Sequence, residues 1–191
     1  MHVANLLALG LSTYIFAVLA YHGKLNVFGE SWFPWHPLCM VVAFLATPVA
    51  AIVYKSPKFG GGGKENTIMH GNLMSGAALI GVAGWYVEHL SKEAAGKAHI
   101  TSYHAWSGLV CLFFFVTGSI GSYIALNPDT GSLKTNKTVR ATHKLSLRAA
   151  IALAFITILT GFSQIAISQT GTMETGLLGA GLLALGLMVL Q

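Results

Sequence analysis

Charge is scarce in this chain. Only 9% of its 191 residues are charged, while 54% are hydrophobic. Soluble domains carry roughly 25% charged residues. Too little charge remains to cover a soluble core of this length, so the composition excludes a water-soluble globular protein and reads as an integral membrane protein. Acidic residues are scarcer still. There are six, and none sits centrally in an apolar run, which removes the inward carboxylates of a di-iron bundle. The two cysteines, Cys39 and Cys111, lie inside apolar runs and form neither a disulfide framework nor a C-x-x-C motif. No Ser/His/Asp or Cys/His grouping and no dinucleotide fingerprint is present, so hydrolysis and hydride transfer from a bound nicotinamide have no support and no catalytic side chain is named. Gly60 to Gly63 lack P-loop spacing and read as a flexible loop. The start, MHVANLLALG, lacks the basic region and cleavage site of a signal peptide and reads as the beginning of a first crossing. The net charge of +5 is modest and reports topology, not nucleic-acid binding.

What the chain has is apolar runs. A crossing helix needs roughly 20 apolar residues. The hydropathy pattern predicts six crossings, at about Leu6–Tyr21, Pro37–Tyr54, Ile68–Val87, Tyr103–Leu126, Leu145–Ser168 and Gly176–Leu190. The expected fold is an all-α membrane protein with one domain over residues 1–191. Trp32, Phe33 and Trp35 suit a headgroup belt. Pro37 fits a first helical turn, Pro48 should kink its helix, and Asn127-Pro128-Asp129 is a stop. Eight of the eleven basic residues fall on one side: Lys55, Lys58, Lys64, Lys134, Lys137, Arg140, Lys144 and Arg148. Lys24, Lys92 and Lys97 fall on the other. The positive-inside rule puts the first group and both termini in the cytosol.

The remaining signal is histidine. His36, His70, His104 and His143 are 34, 34 and 39 residues apart, and each opens a long apolar run. That spacing matches one crossing plus a short loop. Consecutive crossings begin on opposite faces, so His36 and His104 share one side and His70 and His143 the other. Two histidines at matched depth on facing helices can supply both axial ligands of one haem. A tetra-His zinc site would need all four at one depth, which the alternation forbids. The residue seven positions after each histidine is small (Ala43, Ala77, Cys111 and Ala150), which would leave room for a flat macrocycle or serve close helix packing. His2, His22, His89 and His99 fall at interfaces or loops and read as solvated residues. His99, five before His104, could also line the outer haem edge.

Several segments resemble the cytochrome b561 family of ascorbate-dependent transmembrane reductases. Trp35-His36-Pro37 is similar to the family's S-W-H-P start of the second helix. Ala51-Ile52-Val53-Tyr54-Lys55 is similar to its A-L-L-V-Y-R end. Ser102-Tyr103-His104-Ala105-Trp106-Ser107-Gly108 is similar to its S-L-H-S-W-x-G. Gly96-Lys97-Ala98-His99, followed by His104, is similar to the short tumour-suppressor-type members. The resemblance spans roughly residues 10 to 165, and the last helix departs from the family pattern.

The resemblance implies two b-type haems in a central bundle of helices two to five. His36 and His104 would ligate the outer haem, and His70 and His143 the cytosolic one. It implies ascorbate as the cytosolic donor and monodehydroascorbate or ferric iron as the lumenal or extracellular acceptor. Lys55 stands where the family has an arginine on the ascorbate side, keeping the charge without the planar fork. Lys55, Lys64 and Arg140 are the expected donor-site cations, and His99 the acceptor-side residue. The expected setting is a multi-pass protein of an endomembrane or the plasma membrane, with the mitochondrial inner membrane as the next choice. A homodimer or a larger membrane complex would suit it. The alternative reading is a haem-containing structural or assembly subunit without turnover of its own.

Overall fold

The computed structural model describes residues 27–55 and 63–166, with the isolated positions 10, 13, 14 and 17. The sixth crossing, nearly all of the first, and His2, His22, Lys24 and Lys58 lie outside the described residues. Helices make up the described fold, and no strand occurs among these residues.

Helix α1 spans Trp35–Lys55 and contains Pro48. It starts at the Trp32-Phe33-Pro34 turn, whose carbonyls accept its first hydrogen bonds: Trp35 N–H donates to Trp32 O at 3.2 Å and His36 N–H to Phe33 O at 3.0 Å. Helix α2 spans Lys64–Ala94. Glu65 in its first turn favours the positive end of the helix dipole. Gly96, at φ 60°, adopts the left-handed conformation that ends many helices. Helix α3 runs over Tyr103–Val116, widens into a π-helical turn at Thr117–Gly121, and continues as Ser122–Leu126. The Asn127 side chain then accepts from Asp129 and Thr130 N–H and closes the turn expected at Asn-Pro-Asp. Helix α4 spans Lys137–Ala166.

Among the described residues, three stretches are long and apolar enough to cross a membrane: Trp35–Tyr54, Tyr103–Leu126 and Lys137–Gly161. They match the second, fourth and fifth expected crossings. Helix α2 has 31 residues, yet its Gly, Ser, Asn and His content keeps it out of that set. α2 and α4 both begin before the apolar runs, because Lys64–Thr67 and Lys137–Thr142 add polar turns. His70 and His143 therefore sit two turns inside their helices, whereas His36 and His104 are second residues of theirs.

The four helices form two hairpins. α1 lies along α2, α3 along α4, and α2 meets α3 between them. Small residues let the pairs approach. Ala43, Ala50, Ala77, Ala78 and Ala150 are buried. A Cβ on Gly84 would lie 2.8 Å from the Cys39 Cβ, and the Cys111 thiol donates to Ala150 O at 3.3 Å. Three of the four small residues seven positions after the histidines are thus buried, and the fourth ties α3 to α4. Close helix packing accounts for them. Phe44 of α1 meets Phe155 of α4 edge-on, with centroids 5.8 Å apart, across the seam between hairpins. Asn66 is fully buried, and its amide donates to Val53 O at 2.9 Å and Tyr54 O at 3.4 Å, satisfying carbonyls at the end of α1.

Candidate functional site

Each of the four spaced histidines is held by a backbone carbonyl of its hairpin partner. His36 Nδ1 meets Gly84 O at 3.0 Å, and His70 Nδ1 meets Ala50 O at 3.1 Å. His104 Nδ1 meets Thr157 O at 2.9 Å, and His143 Nδ1 meets Gly118 O at 3.0 Å. A carbonyl only accepts, so each Nδ1 carries the proton and donates. That fixes the tautomer and leaves the Nε2 lone pair free to bind a metal. Metal-ligating histidines are commonly oriented in this way.

The arrangement repeats with one period. In every helix the accepting carbonyl lies 14 residues after the histidine: His36 and Ala50, His70 and Gly84, His104 and Gly118, His143 and Thr157. Fourteen residues return a helix to nearly the same face after about 21 Å of rise. Each hairpin thus presents one imidazole at each of two levels. His36 and His104 occupy one level, with ring centroids 6.1 Å apart and planes at 88°. Imidazole nitrogens bind a metal at about 2.0 Å, so two rings on opposite sides of one ion have centroids roughly 6 Å apart. The His36–His104 separation fits a shared iron. His70 and His143 stand at the other level, beside Ala50 O of α1 and Gly118 O of α3. The hairpins thus bring His36 and His104 together at one level, while His70 and His143 stand at the other.

Tight packing supports the rings. A Cβ on Gly161 would lie 2.6 Å from His104 Cε1 and 2.8 Å from Nδ1. Ser107 and Ser146 hydroxyls donate to the His104 and His143 carbonyls at 3.2 and 3.0 Å. The Gly118 carbonyl that orients His143 sits in the π-helical turn, a local break in the ordinary ladder of a kind frequent at functional sites. Tyr54 lies against His70, with centroids 5.3 Å apart.

Beyond the His70 level is a pocket of about 300 Å³, lined by Gly63, Lys64, Thr67, Pro128, Lys134 and Arg140 among others. The structure thus brings Lys64 and Arg140 together and adds Lys134. Lys64 pairs with Asp129, Lys134 Nζ donates to Pro128 O at 3.0 Å, and Arg140 Nε donates to Lys134 O at 2.8 Å. Lys55 ends α1; its side chain lies outside the described residues.

His99 lies at the opposite end. Its Nε2 is 2.6 Å from Glu93 Oε1, and its ring stacks on His89 with centroids 4.3 Å apart. The hydrogen bond from His99 holds the Glu93 carboxyl below its ordinary range. His89 and Glu93 are missed by reading histidines one at a time; their four-residue spacing on a helix end was the available signal.

The family model for eukaryotic cytochrome b561 matches residues 35–169. The chain is 33% identical over 115 residues to transmembrane reductase CYB561D2 of Mus musculus, covering 58% of this chain and 49% of that protein. It is 30% identical over 142 residues to transmembrane ascorbate-dependent reductase CYB561 of Ovis aries, covering 71% and 54%. The chain spans about half the length of the curated relatives it matches. The matched region begins at Trp35 beside the first carbonyl-held histidine and contains all four, so the chain belongs to the eukaryotic cytochrome b561 family.

Proposed function

We propose that this chain is a six-crossing transmembrane electron carrier that holds two b-type haems, takes electrons from cytosolic ascorbate and delivers them to a lumenal or extracellular acceptor, monodehydroascorbate or ferric iron. The observation that carries the reading is the set of four Nδ1–carbonyl bonds, which leaves four Nε2 atoms free at two levels. Family membership implies b-type haem. In this reading His36 and His104 hold one haem and His70 and His143 the other. Bound there, haem supplies a one-electron iron couple.

The protein's own residues do the rest. The backbone carbonyls fix ring orientation before any ligand arrives. The two levels, about 21 Å apart by helical rise, reach across most of a hydrocarbon core roughly 30 Å thick. Lys64, Lys134 and Arg140 give the pocket a positive field that attracts an anionic donor such as ascorbate. Lys55 closes α1 at the same end. The surplus of basic residues at that end supports its cytosolic orientation and cytosolic termini.

The test is an optical spectrum of the purified protein before and after ascorbate, with haem counted per polypeptide. Two low-spin haems, both reduced by ascorbate, support the reading. One haem per chain, or a high-spin spectrum, ends the paired assignment. Two haems that ascorbate leaves oxidised favour the structural-subunit alternative.

A further inference from the structure

We infer that Thr160 is a positioning residue whose hydroxyl draws on the carbonyl that holds His104, and so raises the electron affinity of the His36/His104 level. The inference rests on the electron-carrier reading above and names a residue that tunes one of its two levels. The Thr157 carbonyl accepts from His104 Nδ1 at 2.9 Å and from the Thr160 hydroxyl at 3.1 Å. The same hydroxyl reaches Ile156 O at 2.9 Å. A carbonyl oxygen has two lone pairs. In an α-helix one is already drawn to the N–H four residues on. His104 and Thr160 therefore share what remains, and each weakens the other's bond.

This arrangement belongs to one of the four histidines. Ala50 O, Gly84 O and Gly118 O each hold an imidazole with no second side-chain donor among the described residues. A threonine hydroxyl that bonds back to an earlier carbonyl is common in helices, and Thr47 does so onto Ala43 O at 3.5 Å. Thr160 differs in the carbonyl it reaches. The ring also stays on that carbonyl although it is shared. Thr157 Oγ1 donates to Ser107 Oγ at 3.0 Å, and Ser107 Oγ donates to His104 O at 3.2 Å, which ties residue 157 to His104 by a second route. Gly161 lies against the ring's other side, where an added Cβ would be 2.6 Å from Cε1.

The consequence follows from the bond. An Nδ1–H that donates fully makes Nε2 a stronger donor to a metal, which favours the oxidised, more positive iron. A shared acceptor takes less of the Nδ1 proton, so Nε2 donates less and the reduced state gains. Hydrogen bonding around the axial ligand is one of a protein's levers on a haem couple. An electron arriving from the His70/His143 level is held more firmly here, which favours outward transfer.

The experiment is an optical redox titration of the purified full chain in Thr160→Val, which keeps the branched shape and removes the hydroxyl. The component to follow is the one that His36→Ala removes. At a fixed potential its reduced-to-oxidised ratio should fall roughly threefold, about 28 mV for a one-electron couple, with the other component unchanged. Thr160→Ala should shift it in the same direction, and Thr160→Ser, which keeps the hydroxyl, should match the parent. Thr47→Val removes a back-bond whose carbonyl holds no histidine and should also match the parent. The bond itself is read by NMR in the reduced protein carrying isotope-labelled histidine, where the His104 Nδ1 proton should move downfield in Thr160→Val. A ratio that holds or rises in Thr160→Val and Thr160→Ala, a shift of both components together, or Thr160→Ser departing as far as Thr160→Val overturns the inference. A chain without haem ends the carrier reading, and the proton position then decides for or against Thr160 by itself.

Discussion

The two ends of the bundle share one scaffold and differ in what surrounds it. At each level two imidazoles are fixed by carbonyls from the neighbouring helix, with the same 14-residue period. Past the His70 level the chain places Lys64, Lys134 and Arg140 around an open pocket. Past the His36 level it places two histidines, a glutamate and two aromatic rings. One end carries basic side chains around the pocket, the other a histidine and glutamate cluster beside aromatic rings. The repeat supplies equivalent ligand positions, and the short loops set the polarity. The electron-carrier function proposed above would need that separation.

The largest effects should come from the ligands, and they break the comparison cleanly. His36→Ala or His104→Ala should remove one haem and leave the other reducible by ascorbate. His70→Ala or His143→Ala should remove the other haem and block ascorbate entry. Haem per polypeptide should fall from two to one in each case, read by pyridine haemochromogen assay. If His36→Ala and His70→Ala remove the same spectral component, the pairing is wrong.

A smaller effect confined to one level should follow from Gly161→Ala. The added methyl would collide with the His104 ring. Overpacking of this kind costs about 1–3 kcal/mol, and here the relief is to tilt the imidazole away from Thr157 O. The component held by His36 and His104 should shift in midpoint potential or lose low-spin character, with the other unchanged. Gly76→Ala has nothing within 4 Å of its new Cβ and serves as the matched control. A shift of both components, or of neither, would separate Gly161 from the His104 level.

The pocket should show itself in rate. Lys64→Ala and Arg140→Ala should each slow haem reduction by ascorbate severalfold at low salt, with normal haem content. The slowing should shrink as ionic strength rises, because screening acts over about 8 Å near physiological salt. Asp129 neutralises part of this field by pairing with Lys64, so Asp129→Asn should speed reduction. Stopped-flow traces at two salt concentrations measure all three. Equal rates throughout would leave these charges with topology alone.

Much of this architecture is legible in the residues. The apolar runs locate α1 and α3 to within two residues, since Pro37 suits a first helical turn and Asn127-Pro128-Asp129 is a stop. Counting crossings places His36 with His104, whose rings the structure sets 6.1 Å apart. Other features depend on tertiary contact. The early starts of α2 and α4 are polar turns that no hydropathy window detects. The carbonyl acceptors are invisible because every residue has one, and only the packed hairpin selects Ala50, Gly84, Gly118 and Thr157. The π-helical turn at Thr117–Gly121 has no local signature in Thr-Gly-Ser-Ile-Gly. The His89, Glu93 and His99 group needs the reversal at Gly96 and Ile100 before its members meet.

The smallest effect separates the two levels through their helix starts. Ser102 caps α3, its side chain accepting from Ala105 N–H at 3.2 Å, two residues before His104. Asn136 caps α4, accepting from Thr138 and Val139 N–H at 3.0 and 3.1 Å, seven residues before His143. Removing such a cap costs roughly 1 kcal/mol of helix stability in either case. The consequence at the histidine should differ. Fraying is confined to the first turn, so Ser102→Ala loosens the turn that carries His104 itself. Asn136→Ala loosens a turn that ends well before His143. Both variants should therefore unfold at slightly lower temperature, by a similar amount. Only Ser102→Ala should broaden the redox titration of the His36/His104 component, because only there does a mobile helix end carry a ligand. Redox titration of the two single variants, each beside its thermal unfolding curve, checks it. An equal change in Asn136→Ala would mean that cap strength reaches the ligands through the whole helix and not through its first turn.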